Sequence, residues 1–217
     1  MKNKGVYFDN IHSYKDLNLI LSPFTPTPAQ PKTNYIEIPF GEGSLDLTEA
    51  HGEVKFNDRE FVFTFTVNPS DEMTFDEKLT QVSNALNGRR CRITLDRDSD
   101  FYWDGRCIVD QYLQNKRIKQ IVIRAIVKPY KMKQEETIVV VDLSSTEKKI
   151  ILENSRKRVI PVITCTNDKT NVVFNGNVFK FSAGTHEVLE ICLTEGENSM
   201  TVSGTGTITF TYHEGEL

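Results

Sequence analysis

The segment Arg59–Val67 reads R-E-F-V-F-T-F-T-V. Phe61, Phe63, Phe65 and Val67 fall on one side of an extended chain, and Val62, Thr64 and Thr66 on the other. A period of two in aromatic and β-branched residues predicts a strand with one buried face. Just downstream the period changes. Thr74 can cap a helix, and Glu77, three residues on, completes a capping box. Phe75, Leu79, Val82 and Leu86 then recur at helical spacing and predict one buried stripe over residues 74–87. Asn87-Gly88 supplies the stop, because glycine accepts the left-handed conformation that ends many helices.

Working outward, further strands are predicted at Cys91–Leu95, Phe101–Val109 and Ile118–Val127 on one side, and at Val6–Phe8, Leu19–Leu21 and Tyr35–Ile38 on the other. Gly41 and Gly43 mark a turn. Between these pieces, residues 22–34 (SPFTPTPAQPKTN) carry Pro23, Pro26, Pro28 and Pro31. Proline lacks the amide donor of a sheet ladder, so this stretch reads as an extended arm. The first half is therefore a β-domain with one helix. Residues 128–136 (KPYKMKQEE) are charged, hold a proline and lack an apolar period, and read as a linker. The second half is almost pure β, with strands expected at Ile138–Leu143, Val159–Cys165, Asn171–Phe174, Val178–Phe181, His186–Leu193, Ser199–Ser203 and Thr207–Tyr212. Asn175-Gly176 signals a type I′ hairpin. Such spacing suggests a small sandwich. The expected domains are 1–133 and 134–217, in a mostly-β chain that is α+β in its first half.

Composition narrows the function classes. Of 217 residues, 38% are hydrophobic and 26% charged, which is enough apolar material for packed cores, and the formal net charge is −4. A weakly acidic chain lacks the cationic excess that drives phosphate binding. The N-terminal MKNKGVYFDN has no apolar run after its lysines, so no export signal is expected, and Cys91, Cys107, Cys165 and Cys192 are expected as reduced core thiols. No stretch approaches the roughly 18 apolar residues of a membrane span.

Each catalytic template fails at a named position. His186-Glu187 opens like the zinc motif H-E-x-x-H, but the closing position is Glu190. Asp96, Asp98 and Asp100 resemble the start of a calcium loop, yet the required glycine and glutamate positions hold Phe101 and Cys107, so a solvated acidic turn is expected. Gly204-x-Gly206 sits between strands, without the helix start that a phosphate loop needs. No catalytic residue, cofactor site or metal site is assigned, and the chain is expected not to be an enzyme. Trp103, within F-Y-W-D-G-R-C, is the sole tryptophan. With Tyr102 it reads as packing, or, in an alternative carbohydrate-binding adhesion module, as a sugar-stacking platform.

The order of these features carries a resemblance. I-H-S-Y-K-D-L-N-L-I-L (Ile11 to Leu21), the proline-bearing arm, I-P-F-G-E-G-S-L-D-L-T (Ile38 to Thr48), the phenylalanine-rich strand, the capped helix ending L-N-G (Leu86 to Gly88), F-Y-W-D-G-R (Phe101 to Arg106) and the closing G-x-G-x-I-x-F-x-Y-x-x-G-x-L (Gly204 to Leu217) follow one another. Taken together they resemble the distal tail proteins (Dit) of long-tailed, non-contractile bacteriophages, within a wider group of phage tail components. The resemblance implies a tail-tube-like N-terminal β-domain and a galectin-like C-terminal β-sandwich. It implies a homohexamer, in some cases of stacked rings, at the virion tail tip, assembled in the host cytoplasm. Such a baseplate-hub ring joins tail-tube and tape-measure proteins to a tail-associated or tail-fibre protein, and in some phages to receptor-binding proteins. DNA passes through the central channel without specific binding. The second half has no tryptophan, so a galectin-like fold would not by itself license sugar binding. For a ring, Phe24, Pro26 and Pro28 of the arm are the expected inter-subunit contacts, since thirteen extended residues reach at most about 45 Å.

Overall fold

The computed structural model describes residues 5–50, 52–114 and 118–217. Residues 1–4, part of the stretch read for an export signal, lie outside it. The chain divides into two units, Met1–Lys131 and Met132–Leu217. The first runs β1 (Val6–Phe8), β2 (Ile11–His12), β3 (Leu19–Leu21), β4 (Tyr35–Glu37), β5 (Ser44–Asp46), β6 (Arg59–Val67), α1 (Phe75–Leu86), β7 (Arg90–Leu95), β8 (Asp98–Gln114) and β9 (Lys119–Val127). Strand β10 (Lys131–Lys133) stands at the divide. The second unit continues with β11 (Thr137–Leu143), β12 (Lys148–Asn154), β13 (Val162–Cys165), β14 (Thr170–Phe174), β15 (Asn177–Phe181), β16 (Gly184–Glu187), β17 (Gly196–Ser203), β18 (Gly206–Tyr212) and β19 (Gly215–Glu216). The chain is mostly β with one helix among its described residues.

In the first unit an antiparallel sheet is ordered β2-β1-β7-β8-β9-β6-β3. The alternation read in β6 is real: Arg59, Phe61, Phe63, Phe65 and Val67 are buried, and Glu60 and Val62 are exposed. Register sets Phe61 opposite Ala125, Phe63 opposite Ile123 and Phe65 opposite Ile121, all fully buried. Helix α1 closes this core with Phe75, Val82 and Leu86. Its capping box is complete: Thr74 accepts from the Glu77 amide, and Glu77 accepts from the Thr74 amide at 2.9 Å. Strand β8 is longer than read and carries a bulge between Val109 and Gln111.

The buried stripe of the helix departs from expectation. Lys78 is buried, whereas Leu79 is only half-buried. The Lys78 ammonium lies 2.7 Å from Asp71 and donates to the Leu17 carbonyl at 3.2 Å and to Gln81 Oε1 at 2.8 Å. One close ion pair and two hydrogen bonds surround the ammonium, which makes burial of the charge tolerable.

In the second unit one sheet is ordered β11-β18-β13-β16 and the other β12-β17-β14-β15. Between them lies a core that includes Val141, Leu152, Ile163, Phe174, Val202, Ile208, Phe210 and Tyr212. Asn175 and Gly176 have φ of 49° and 80°, as the I′ turn between β14 and β15 demands.

Three sequence readings are corrected here. The segment taken wholly as linker contains β10, which pairs with β19; Lys133 donates to the Glu214 carbonyl at 3.0 Å and its ammonium to the Glu214 carboxylate at 2.6 Å. The strand expected at His186–Leu193 ends at Glu187, and a turn from Val188 to Ile191 carries Ile191 and Leu193 into the core. Strand β12 (KKIILEN) escaped because its lysines, glutamate and asparagine hide a short apolar run.

Candidate assembly surface

The arm lies along its own unit. After β3, the Ser22 amide donates to the Thr64 carbonyl at 2.9 Å, and the Thr27 hydroxyl to the Glu60 carbonyl at 2.8 Å. Phe24 packs 4.4 Å from the Phe63 ring centroid and 5.4 Å from that of Phe61. Arg59 clamps the segment, donating to the Thr27 carbonyl and, at 3.1 Å, to that of Pro129, with its guanidinium over Phe61 and Trp103. Burial pushes the Arg59 pKa down, though a guanidinium remains charged. Of the residues expected to contact a neighbour, Phe24 and Pro26 are half-buried and Pro28 is exposed.

Beyond the arm the chain leaves the main sheet. Strands β4 and β5 pair only with each other among the described residues, and every residue in them is exposed. Tyr35, Ile36, Ile38, Phe40 and Leu45 are all large, apolar and at least 48% exposed. A two-stranded hairpin is marginal by itself in water. The base of this one is tied by Leu47 N–H to Asn34 O at 2.8 Å, and by Asn34 N–H to the Thr48 hydroxyl at 3.1 Å. Hydrogen bonds from the Thr48 hydroxyl and amide and from the Tyr35 hydroxyl outweigh slight desolvation and hold the Asp46 carboxyl below its usual pKa.

Its tip concentrates two unfavourable features. The Gly41 amide bonds the Ile38 carbonyl at 3.0 Å, so Ile38-Pro39-Phe40-Gly41 is a turn with proline second. The third position has φ of +61° and is occupied by Phe40, where glycine or asparagine is favoured. The same phenylalanine is fully exposed. The hairpin thus holds an apolar ring out into water on a backbone conformation that a phenylalanine rarely adopts. Sequence reading placed the strand and turn but missed this surface, because exposure at a strand tip leaves no periodic signature.

Residues read for chemistry have structural jobs. Trp103 is 3% and Tyr102 8% exposed, and Trp103 stands edge-on to Phe61 at 5.2 Å. Buried rings cannot stack on a sugar, so the platform reading is corrected. Asp96 and Asp98 are not a merely solvated turn: Asp96 accepts from the Gly5 amide at 2.7 Å and from His12 Nε2 at 3.2 Å, and Asp98 pairs with Lys131 at 3.2 Å. Because His12 Nδ1 accepts the amides of Tyr14 and Lys15, its ring proton sits on Nε2, and neither nitrogen is free to carry a proton to a substrate. No cluster of three or more His, Cys, Asp or Glu suited to a metal occurs among the described residues. No described helix is long and apolar enough to cross a membrane.

Cys91 and Cys107, distant in sequence, meet with their Sγ atoms 3.3 Å apart in the core. Burial and the neighbouring thiol raise the Cys107 pKa far above its usual value, the hydrogen bond with Cys91 contributing most.

No family model matches the chain, and no curated protein matches it. Among solved structures, the chain is similar to the crystal structure of the SPP1 Dit (gp 19.1) protein, described as a paradigm of hub adsorption apparatus in phages that infect Gram-positive bacteria. The similarity covers 100% of both chains with a TM-score of 0.70 at 11% sequence identity. Fold is therefore shared from end to end where sequence is not: this chain has a Dit-like, β-rich fold.

Proposed function

We propose that this protein is a structural subunit of a phage tail tip, forming a hexameric hub ring that joins the tail tube to a tail-associated or tail-fibre protein. The observation that carries this reading is the likeness to a hub protein along the whole chain, in both units, rather than in one common β-module. The exposed apolar hairpin supports it, because it is a surface that a solitary monomer would not favour. In the ring, the hairpin reaches the neighbouring subunit, with Pro26 and Pro28 on the open side of the arm and Phe24 bracing it from within. Heterologous contacts of this kind close when the rotation per subunit is one sixth of a turn. The weakly acidic chain suits a conduit through which DNA slides without specific binding.

Negative-stain electron microscopy and light scattering test this directly. A ring with a central hole and a mass of six or twelve chains is expected. A monomer at every concentration, with no rings on the grid, overturns the reading.

A further inference from the structure

The two sheets of the second unit present four edge strands: β11, β16, β12 and β15. An edge exposes unpaired backbone donors and acceptors, and proteins usually blunt it with charge, glycine, proline or brevity. Three of these edges are blunted. Strand β16 is four residues, begins at Gly184 with φ of +125° and ends in Glu187. Strand β12 carries Lys148, Lys149 and Glu153. Strand β15 carries exposed Lys180.

The fourth edge carries one charge, Asp142, near its end, and is apolar along its middle. Strand β11 reads T-I-V-V-V-D-L, seven residues with no lysine, proline, glycine or bulge. Its one strand neighbour among the described residues is β18. Val139 and Leu143 pack on the sandwich core and Val141 lies within it, while Ile138 and Val140 point outward, 58% and 61% exposed. Apart from Asp142, the surface beside them is uncharged: Thr209 and Thr211 of β18 stand opposite Val140 and Ile138, followed by Val162 and Thr164 of β13.

The geometry points to β11 as a self-association strand that pairs antiparallel with β11 of a second copy of this chain, about a two-fold axis through Val140. Charge sets the direction, and in that direction the strand is complementary to itself, because every residue on it other than Asp142 is uncharged. The only charge on the strand is Asp142, near one end. Parallel pairing would set two aspartates side by side. Antiparallel pairing about Val140 sets each Asp142 opposite Ile138 of the other copy and holds the two carboxylates about 14 Å apart along the strands. Val139 then faces Val141 of the second copy on the core side, and the two Val140 side chains meet on the outer side. The two four-stranded sheets become one of eight. A single strand pair covers well under the roughly 1,000 Å² of a stable interface. Two free chains therefore associate weakly, and chains already held side by side associate far more tightly. A two-fold contact pairs copies and builds no ring, so this inference stands apart from the proposed hexamer.

Sedimentation velocity on the full chain over a concentration series tests it. A species of twice the basic assembly mass is expected to grow with concentration, whatever that basic assembly is. In Ile138→Lys/Val140→Lys the doubling constant should weaken at least tenfold, with an unchanged melting temperature because both sites are exposed. A cross-link gives the register. In a Cys192→Ser background, Val140→Cys treated with diamide should give a covalent dimer, two thiols yielding one disulfide as diamide takes up two electrons and two protons. Thr185→Cys, on the opposite edge, should not. Absence of doubling, doubling unaffected by the two lysines, or cross-linking equal at both positions overturns the proposal. Doubling of an unsubstituted chain that forms no rings overturns the hexamer instead.

Discussion

Replacing Lys78 with methionine removes a charge and leaves shape nearly intact, so the resulting loss of stability isolates the ion pair. In the native chain the Lys78 and Asp71 side chains are 2% and 3% exposed and 2.7 Å apart. Without the ammonium, Asp71 keeps its hydrogen bond from the Met73 amide at 2.9 Å but remains a buried carboxylate with no cation. The Leu17 carbonyl and Gln81 each lose a donor as well. Breaking a buried pair from one side costs about 3–5 kcal/mol. Asp71 sits in a turn between exposed Ser70 and Glu72, where solvent can relax around it, so the lower figure, about 3 kcal/mol, applies. Urea unfolding at pH 7 measures this. Lys78→Met/Asp71→Leu should recover most of the loss, because no unpaired charge is left.

The pH dependence supplies a second readout. Burial pushes the Asp71 pKa up, but hydrogen bonds from Lys78 and the Met73 amide, the Lys78 charge and a hydrogen bond from Asn18 outweigh it, and the folded pKa is lowered. Its contribution is thus fully present above the unfolded value of about 3.9 and is lost as pH falls through the lower folded value. The gap between wild type and Lys78→Met should therefore narrow on acidification below about pH 4. A loss under about 1 kcal/mol at pH 7, or a gap independent of pH, would refute the reasoning.

Three further outcomes are expected. Phe40→Gly relieves a left-handed conformation costing about 1–2 kcal/mol and adds about 0.5–1 kcal/mol of chain entropy. Fold stability should then change by less than about 1 kcal/mol, while assembly measured by light scattering weakens by the roughly 1.5–3 kcal/mol per contact of a lost buried ring. Gly105→Ala should destabilise by about 1–3 kcal/mol in calorimetry, because an added Cβ would stand 2.5 Å from Val127 Cγ1 and 2.7 Å from the Ile126 carbonyl. Cys91 and Cys107 should stay reduced under diamide, with four thiols titrating after denaturation: Cys91 faces Gly105, so Cys107 is a diagonal neighbour, and diagonal Cα atoms lie about 7–8 Å apart, beyond ordinary disulfide reach.

The sequence was most readable where one physical rule decided the outcome. The pattern of β6 and the capping box of α1 needed only local chemistry, and both appear residue for residue. Lys78 was misread because helical periodicity sorts residues by polarity, whereas its burial depends on Leu17 and Asp71, supplied by distant or irregular chain. Strand β12 was hidden by edge lysines, which protect a strand by making it look unlike one. Of the candidate surface, the proline arm was legible as extended chain. The exposure of the hairpin was not legible, since an exposed apolar residue and a buried one are written with the same letter.

The bulge in β8 has a consequence for comparing this chain with others of its fold. Before it, odd-numbered Cys107 and Val109 face Ala125 and Ile123; after it, even-numbered Tyr112 faces Ile121 and its ring lies 5.9 Å from Phe75. One extra residue resets the alternation. Losing Asp110 alone would straighten the ladder and leave Tyr112 on the same face. Losing a residue from the regular ladder on either side would turn the remainder of the strand inside out. Asp110 is thus a place where a relative can be one residue shorter without changing shape, and a single-residue gap there, rather than a mismatch, is what alignment by structure should find.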